Sequence, residues 1–262
     1  MSTFAMHVAK TGLNSQQIKM QVIANNLANV NTTGFKADRA NFESLLYQIL
    51  RGAGDNTSEN TSLTSGLSVG TGTRLLNTSK LHTQGSLINT GNSLDISIEG
   101  DGFFQVLLPD GRVAYTRSGA FSRNAEGTVT TASGYPLQPE ITIPAEAVSI
   151  NISSDGIVSV QVPGAVDAEE VGQITLADFP NRQGLQPNGE SMLLETPASG
   201  APIVAAPFEE GMGRTVQGSL ESSNVNVVQE LVDMIETQRA YEVSSKTITS
   251  VDEMMRYLAQ NV

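Results

Sequence analysis

The sequence has no cysteine, so no disulfide can form, and the thiolate ligands of the common structural zinc sites are missing. The redox compartment stays open on that score. Histidine is scarce as well, at two residues, His7 and His82, and no HExxH spacing sets either up as a metal ligand. Basic residues are few: 15 Lys and Arg stand against 27 Asp and Glu, a formal charge of -12. Binding a phosphate backbone needs a dense basic patch, and none is present, so nucleic acid is not an expected partner. Nowhere do eighteen apolar residues stand together, and the opening MSTFAMHVAKTGLNSQQ lacks a basic start, an apolar run and a small-residue cleavage site. Neither a membrane span nor a secretory signal is expected.

The signatures of catalysis are missing too. The glycines of GDGFF and GTGTR belong to no GxxxxGK[ST] and to no helix-opening GxGxxG, so they cradle no phosphate. A nucleophilic serine would need a local elbow such as GxSxG and an associated histidine, and neither occurs. Asp101 and Asp110 invite a hydrolase reading, but they stand in GDG and PDG, hairpin-turn sequences in which Asp bonds the local backbone. Phe103, Phe104 and Phe121 lie on alternating runs with few basic residues between them, the pattern of a core and not of a base-stacking platform. No enzyme activity, cofactor, metal or small-molecule substrate is therefore expected.

What is present is a division between middle and ends. All ten prolines lie between Pro109 and Pro207, no glycine follows Gly218, and only Gly12 and Gly34 precede Gly52. At the start, Met6, Leu13, Met20 and Leu27 recur every seven residues, with Ala9, Gln16, Ile23 and Val30 three later. This heptad stripe, broken only by Gln16, predicts a helix from about Thr3 to Asn29, about 40 Å long. Gly12 is its weak point, and NVNTTG ends it. At the other end, Val227 to Val262 contains neither Gly nor Pro, and Met234, Tyr241, Ile248, Met255 and Val262 repeat every seven, with Val251 and Leu258 as companions. Upstream the stripe runs one residue off register through Val228, Leu231, Val232 and Ile235. Asn226 with Gln229 has capping-box spacing, and Glu230 suits the dipole of the first turn.

The middle reads as short alternating apolar runs separated by turns, such as LDISIEGDGFFQVLLPDGRVAYT and ISSDGIVSVQV, the pattern of an all-β domain. Between Asn124 and Gly213 the only basic residue is Arg182, against a dozen acids, so that part faces solvent. Tyr47 to Arg74 is rich in Ser, Thr, Asn and Gly, and reads either as a flexible linker or as an extended arm anchored by Leu63, Leu67 and Val69. The expected fold class is α+β. N- and C-terminal helices pair as a coiled-coil-like core domain (1–36 plus 222–262), followed by an extended arm or linker (37–80) and an inserted β-rich outer domain (81–221).

IANNLANVNTTGFK, Ile23 to Lys36, resembles the asparagine-rich signature, ending in TGFK, of the flagellar rod and hook family of axial proteins. SNVNVVQELVDMIETQRAYEVSSKTITSVDEMM is similar to that family's other signature, with Ser223, Asn224 and Val225, then Gln238 to Glu242, in their places. RANFESLLYQ, TSKLHTQGSLINTGNSLDISIEGDGFFQVLLPDGRVAYTRSGAFS and ASGAPIVAAP resemble the distal-rod branch, and the likeness covers nearly the whole chain. It implies a self-assembling subunit whose copies stack into a straight hollow tube, a drive shaft carrying motor torque to the hook. The assembly surface would then be Met6, Leu13, Met20, Ile23, Leu27 and Val30 on the first helix. On the last helix it would be Leu231, Met234, Ile235, Tyr241, Ile248, Val251, Met255 and Leu258. Asn25, Asn26, Asn29, Gly34 and Phe35 would form the motif turn, and Tyr47, Leu63, Leu67 and Val69 a rod-straightening arm.

The partners so implied are further copies of the chain, proximal rod proteins, the hook protein, P- and L-ring proteins, a rod cap and the flagellar type III export apparatus. The implied location is the basal body, the rod crossing the periplasm towards the outer membrane, reached without a cleaved signal. Three other readings stay open: a proximal rod or hook subunit, an envelope binding module trimerised by its coiled coils, and an envelope hydrolase using Asp101 or Asp110.

Overall fold

The computed structural model describes residues 2–52, 56–58, 61–62, 64–163 and 168–260. The two heptad stretches fold as helices, α1 (Ser2–Ala28) and α2 (Val227–Gln260), within a residue or two of the expected bounds. Asn226 caps α2, its Oδ1 accepting the backbone N–H groups of Val228 (3.1 Å) and Gln229 (3.3 Å). The capping box is only half made, because the Gln229 amide runs along the helix to Asp233 Oδ1 (3.0 Å) instead of back to the cap. One turn apart on α2, Asp252 and Arg256 meet at 3.0 Å.

Between the helices come short strands. The first six are β1 (Asp38–Ser44), β2 (Tyr47–Arg51), β3 (Asn56–Ser58), β4 (Thr61–Ser62), β5 (Leu67–Gly70) and β6 (Thr73–Lys80). They are followed by β7 (Leu87–Asn89), β8 (Ile96–Glu99), β9 (Phe103–Leu107), β10 (Val113–Thr116), β11 (Phe121–Arg123), β12 (Val129–Thr131) and β13 (Leu137–Gln138). The rest are β14 (Ser149–Ile152), β15 (Ile157–Gln161), β16 (Glu169–Gln173), β17 (Leu176–Asp178), β18 (Gln186–Gly189), β19 (Met192–Leu194), β20 (Ile203–Ala205), β21 (Arg214–Gln217) and β22 (Ser219–Glu221).

The chain divides into two compact units, each made from separated segments. The first takes α1, the segment Asp38–Ser79 and α2. In it β1 pairs with β6, β2 with β5 and β3 with β4, a nested ladder that makes the segment a two-stranded ribbon. Its polar composition, which reads as linker or arm, is compatible with this because Thr suits strands and small polar side chains bond across them. Asn41 Nδ2 donates to Asn77 Oδ1 (2.9 Å) and Ser79 Oγ (3.1 Å), and Arg74 pairs with Glu43. The base of the ribbon lies on α1: Ser15 Oγ and Thr73 Oγ1 are 3.0 Å apart. Gly72, at φ 119°, comes so close that a Cβ there would stand 2.2 Å from Thr11 Oγ1.

The second unit takes Ala28–Ala37 and Lys80–Val225. Its main sheet has seven strands, ordered β18-β19-β10-β9-β17-β20 with β13 also on β9. Apolar clusters cover both faces. Phe104, Val106, Ala114, Leu176, Met192 and Leu194 join one cluster, while Phe103, Tyr115, Ala177, Phe179, Leu185 and Leu193 form the other. Successive residues of a strand point to opposite faces, and a sheet buried on both sides therefore needs the continuous apolar dipeptides Phe103-Phe104 and Leu193-Leu194. Phe104 meets Phe121 edge-on at 5.2 Å, and Tyr115 meets Phe179 at 4.7 Å.

Candidate assembly surfaces

On α1 every expected heptad position from Met6 to Leu27 is buried or half-buried, Ile23 most deeply at 4% exposure, and exposed positions such as Ala5, His7, Lys10, Asn14, Gln17 and Gln21 fall between them. On α2 the row Met234, Thr237, Tyr241, Ser244, Ile248, Val251 and Met255 is likewise buried or half-buried. The two helices approach at least twice within the first unit. A Cβ on Gly12 would stand 4.0 Å from Ser244 Oγ, and Asn26 Nδ2 donates to Glu230 Oε1 (3.0 Å). Glu230, half-buried, has its carboxyl pushed up, chiefly by burial.

A second apolar row on α2 has no cover in the single chain. Val228 is 72% exposed, and Leu231, Val232, Ile235 and Val243 are exposed as well. At 100° per residue, Val228, Val232, Ile235 and Val243 lie on roughly the opposite side from Met234, Tyr241, Ile248 and Met255. Of the assembly residues expected on this helix, Leu231 and Ile235 therefore belong to the outward row, and Met234, Tyr241, Ile248, Val251 and Met255 to the inward one. The side chain of Leu258 is outside the described residues. The ribbon is apolar outside too: Leu46 (89%), Ile49 (71%), Tyr47, Leu50, Leu67 and Leu76 are exposed, while Val69 is half-buried. Leu63 lies outside the described residues.

The motif turn does something that sequence reading missed. Asn26 is 2% exposed, and besides Glu230 it binds the backbone of Asp38 in both directions, through N (2.8 Å) and O (2.9 Å). Asn25 reaches Asp38 Oδ2 (3.4 Å), and Asn29 Oδ1 accepts from Thr32 Oγ1 (3.3 Å). Gly34, at φ 67°, lies against the backbone of Arg117 and Ser118; a Cβ there would be 2.4 Å from Ser118 N. Its own N–H donates to Glu221 O (2.8 Å). Phe35 packs with Ala37, Val225 and Val30, under the Lys80 ammonium 5.1 Å from its ring.

Next to Phe35 stands an ion cluster closed off from water. Glu221 has a side-chain exposure of 0%, and Lys36 and Arg117 have 4% each. Lys36 Nζ donates to Glu221 Oε1 (2.6 Å) and Thr83 O (2.8 Å), and Gly85 N donates to the same Oε1 (2.8 Å). Arg117 reaches Glu221 Oε2 at 3.4 Å and Gly100 O at 2.9 Å. Burial pulls both Lys36 and Arg117 down from their usual pKa values, and Glu221 partly restores each. Asn224 completes the arrangement, accepting from Ala37 N (2.8 Å) and donating to Leu81 O (2.7 Å). Three stretches distant in sequence, 34–37, 81–85 and 221–225, are thereby fastened together. His82 sits beside this cluster, its ring 5.7 Å from Phe103 and its pKa lowered to about 4, first by burial and then by Lys36. Among the described residues, His82 Nδ1 and Arg117 Nε are buried without a hydrogen-bond partner.

The two carboxylates that invited a hydrolase reading are occupied separately. Asp101 binds Arg182 (2.6 Å), which also holds Asp178 (2.6 Å). Asp110 binds Arg112 (2.6 Å) inside its turn. The arginine in each case holds the carboxyl below the usual range, so both stay ionised and neither is fitted to act as an acid at neutral pH. Among the described residues no cluster of His, Asp and Glu could hold a metal ion, and no helix is long and apolar enough to cross a membrane.

Comparison with known proteins matches the motif and both ends. Residues 6–36 fit the family described as flagella basal body rod protein, residues 97–160 the flagellar hook protein FlgE/F/G D1 domain, and residues 216–261 the flagellar basal body rod FlgEFG protein C-terminal. Among single proteins, the chain is 51% identical over 256 residues to flagellar basal-body rod protein FlgG of Buchnera aphidicola subsp. Acyrthosiphon pisum, covering 98% of each chain. FlgG of Agrobacterium fabrum is 44% identical, covering 98% of this chain and 99% of its own. FlgG of Bacillus subtilis is 37% identical over 95% of each. The buried Asn26, the Gly34 turn and the Lys36 anchor lie inside the first matched region, and α2 fills the last: the chain belongs to the flagellar rod and hook protein family, alongside the FlgG basal-body rod proteins.

Proposed function

We propose that the protein is the structural subunit of the distal rod, polymerising into a straight hollow helical tube that transmits motor torque to the hook. The reading rests on the likeness to FlgG rod proteins along the full chain, and the observation that carries it further is the second apolar row of α2. One row suits α1 of the same chain in coiled-coil fashion. The other row has no use in a lone monomer, and a second contact on a different face is what an open filament requires. Fully burying a Val, Leu or Ile side chain contributes about 1.5 to 3 kcal/mol, so covering Val228, Leu231, Val232, Ile235 and Val243 between copies would drive assembly. The ribbon Asp38–Ser79, apolar on its outside, would lie between subunits and resist bending. The acidic second unit would form the outer wall, inside P- and L-rings, with proximal rod proteins below and the hook protein above. Export through the flagellar type III apparatus without a cleaved signal, and growth beneath a rod cap, belong to the same reading.

The test is a concentration series by sedimentation and electron microscopy on the full chain and on Ile235→Asp, in the outward row. The full chain should give straight tubes, and the variant should stay monomeric while keeping its β-sheet signal. Tubes from Ile235→Asp, or none from the full chain at any concentration, would sink the reading. Deleting residues 54–65 should give tubes that curve; tubes as straight as before would remove the arm from the account.

A further inference from the structure

Phe208 is held outward against its own preferences. Its φ is 70°, a left-handed value that costs a bulky side chain and favours glycine, yet 57% of it faces solvent. The loop around it is anchored: Pro207 and Met212 are buried, Met212 N donates to Glu209 O (2.8 Å) and Gly213 N to Asp101 O (2.7 Å). Just before it in the chain runs β20, at the end of the seven-stranded sheet and bonded only to β17 among the described residues, with Ile203 and Val204 exposed. An unpaired strand edge with apolar side chains is an adhesive surface unless something covers it. Two carboxylates, Glu209 and Glu210, follow Phe208 directly.

Charge selects the occupant. The second unit carries seventeen acidic residues against seven basic ones, so its faces repel one another between copies. The first helix is the opposite, with Lys10 and Lys19 and no acidic residue in α1. We propose that Phe208 and the edge of β20 that precedes it dock on α1 of a second copy, with Glu209 and Glu210 facing Lys10. The inference rests on the self-assembly proposed above, and it adds a lateral contact distinct from the helix rows.

The experiment puts the photocrosslinker p-benzoyl-phenylalanine at position 208 of the full chain and irradiates before and after polymerisation. Expected is a crosslinked dimer found only in tubes, mapping to peptides of residues 2–28 of the other copy. Tubes with no dimer, crosslinks confined to one chain, or crosslinks to the acidic unit of the neighbour or to another protein would overturn it. Failure to form tubes at all would remove self-assembly itself, and this contact with it. A second variant separates docking from folding. Phe208→Gly relieves the left-handed strain, so the monomer should melt no lower than before, while the free concentration needed for tubes rises about tenfold. An unchanged threshold would refute the contact.

Discussion

Removing the Glu221 carboxylate should cost more than removing either of its cations, and the asymmetry follows from counting charges. Glu221 is a single anion between Lys36 and Arg117, all three almost wholly buried. In Glu221→Gln the amide can still accept from Gly85 N, but two cations are left facing each other without an anion. Breaking a buried ion pair by removing one partner costs about 3 to 5 kcal/mol. In Lys36→Met the apolar stem still fills its space and one anion remains against one cation. What goes are the hydrogen bonds to Glu221 and Thr83 O, together worth about 1 to 3 kcal/mol. Urea unfolding of the full chain, followed by circular dichroism and tyrosine fluorescence, measures both. With a slope of about 2 kcal/mol per M, the Gln variant should lose about 2 M in midpoint and the Met variant about half of that. If Lys36→Met is as damaging as Glu221→Gln, or if both lie under about 1 kcal/mol, the cluster is not held by its anion and the reasoning fails.

Two other outcomes follow from single residues. His82 titrates near 4 in the folded protein against 6.5 when unfolded, so the unfolded chain binds the extra proton and stability falls as pH drops from 6.5 towards 4. By pH 5 the loss should reach about 2 kcal/mol; His82→Leu should flatten urea midpoints between pH 6.5 and 5, and an unchanged slope would exclude this histidine as its source. Gly12→Ala should stabilise α1 by about 0.5 to 1 kcal/mol, because the new Cβ meets only Ser244 Oγ at 4.0 Å; a lower melting temperature would mean the helices sit closer than that.

The helices were legible because heptad spacing is a local property: Met6 to Leu27 and Met234 to Met255 can be read without knowing what they touch. The all-β character of the middle was legible for the same reason, through alternation and turns. The Lys36–Glu221 pair was not, since its partners are 185 residues apart and an isolated glutamate in SLESSN carries no mark of burial. Asn26 lies inside the expected helix and enters the motif turn only through the family signature; what it does there depends on the passing backbone of Asp38, which the sequence does not place. The ribbon escaped because the Ser-, Thr-, Asn- and Gly-rich stretch between its strands dominates the composition, and only pairing across the nested ladder identifies the strands. The upstream stripe of α2 reads as a register shift that carries one apolar face around the helix, whereas the structure has two opposite rows.

The interleaving of the two units bears on the order in which the chain can fold as it is made. A ribosome delivers α1 well before α2, yet the unit they belong to needs both, with the whole β-rich middle made between them. An amphipathic helix without its partner is marginal in water. The other unit fares little better: Lys36 must wait for Glu221, almost the whole length of its unit later. Neither unit can close before its late segment is made, so the nascent chain stays open while the β-rich middle is delivered. Under the export proposed above, in which the subunit is threaded in extended form, a fold that completes only once α2 is present is a built-in delay.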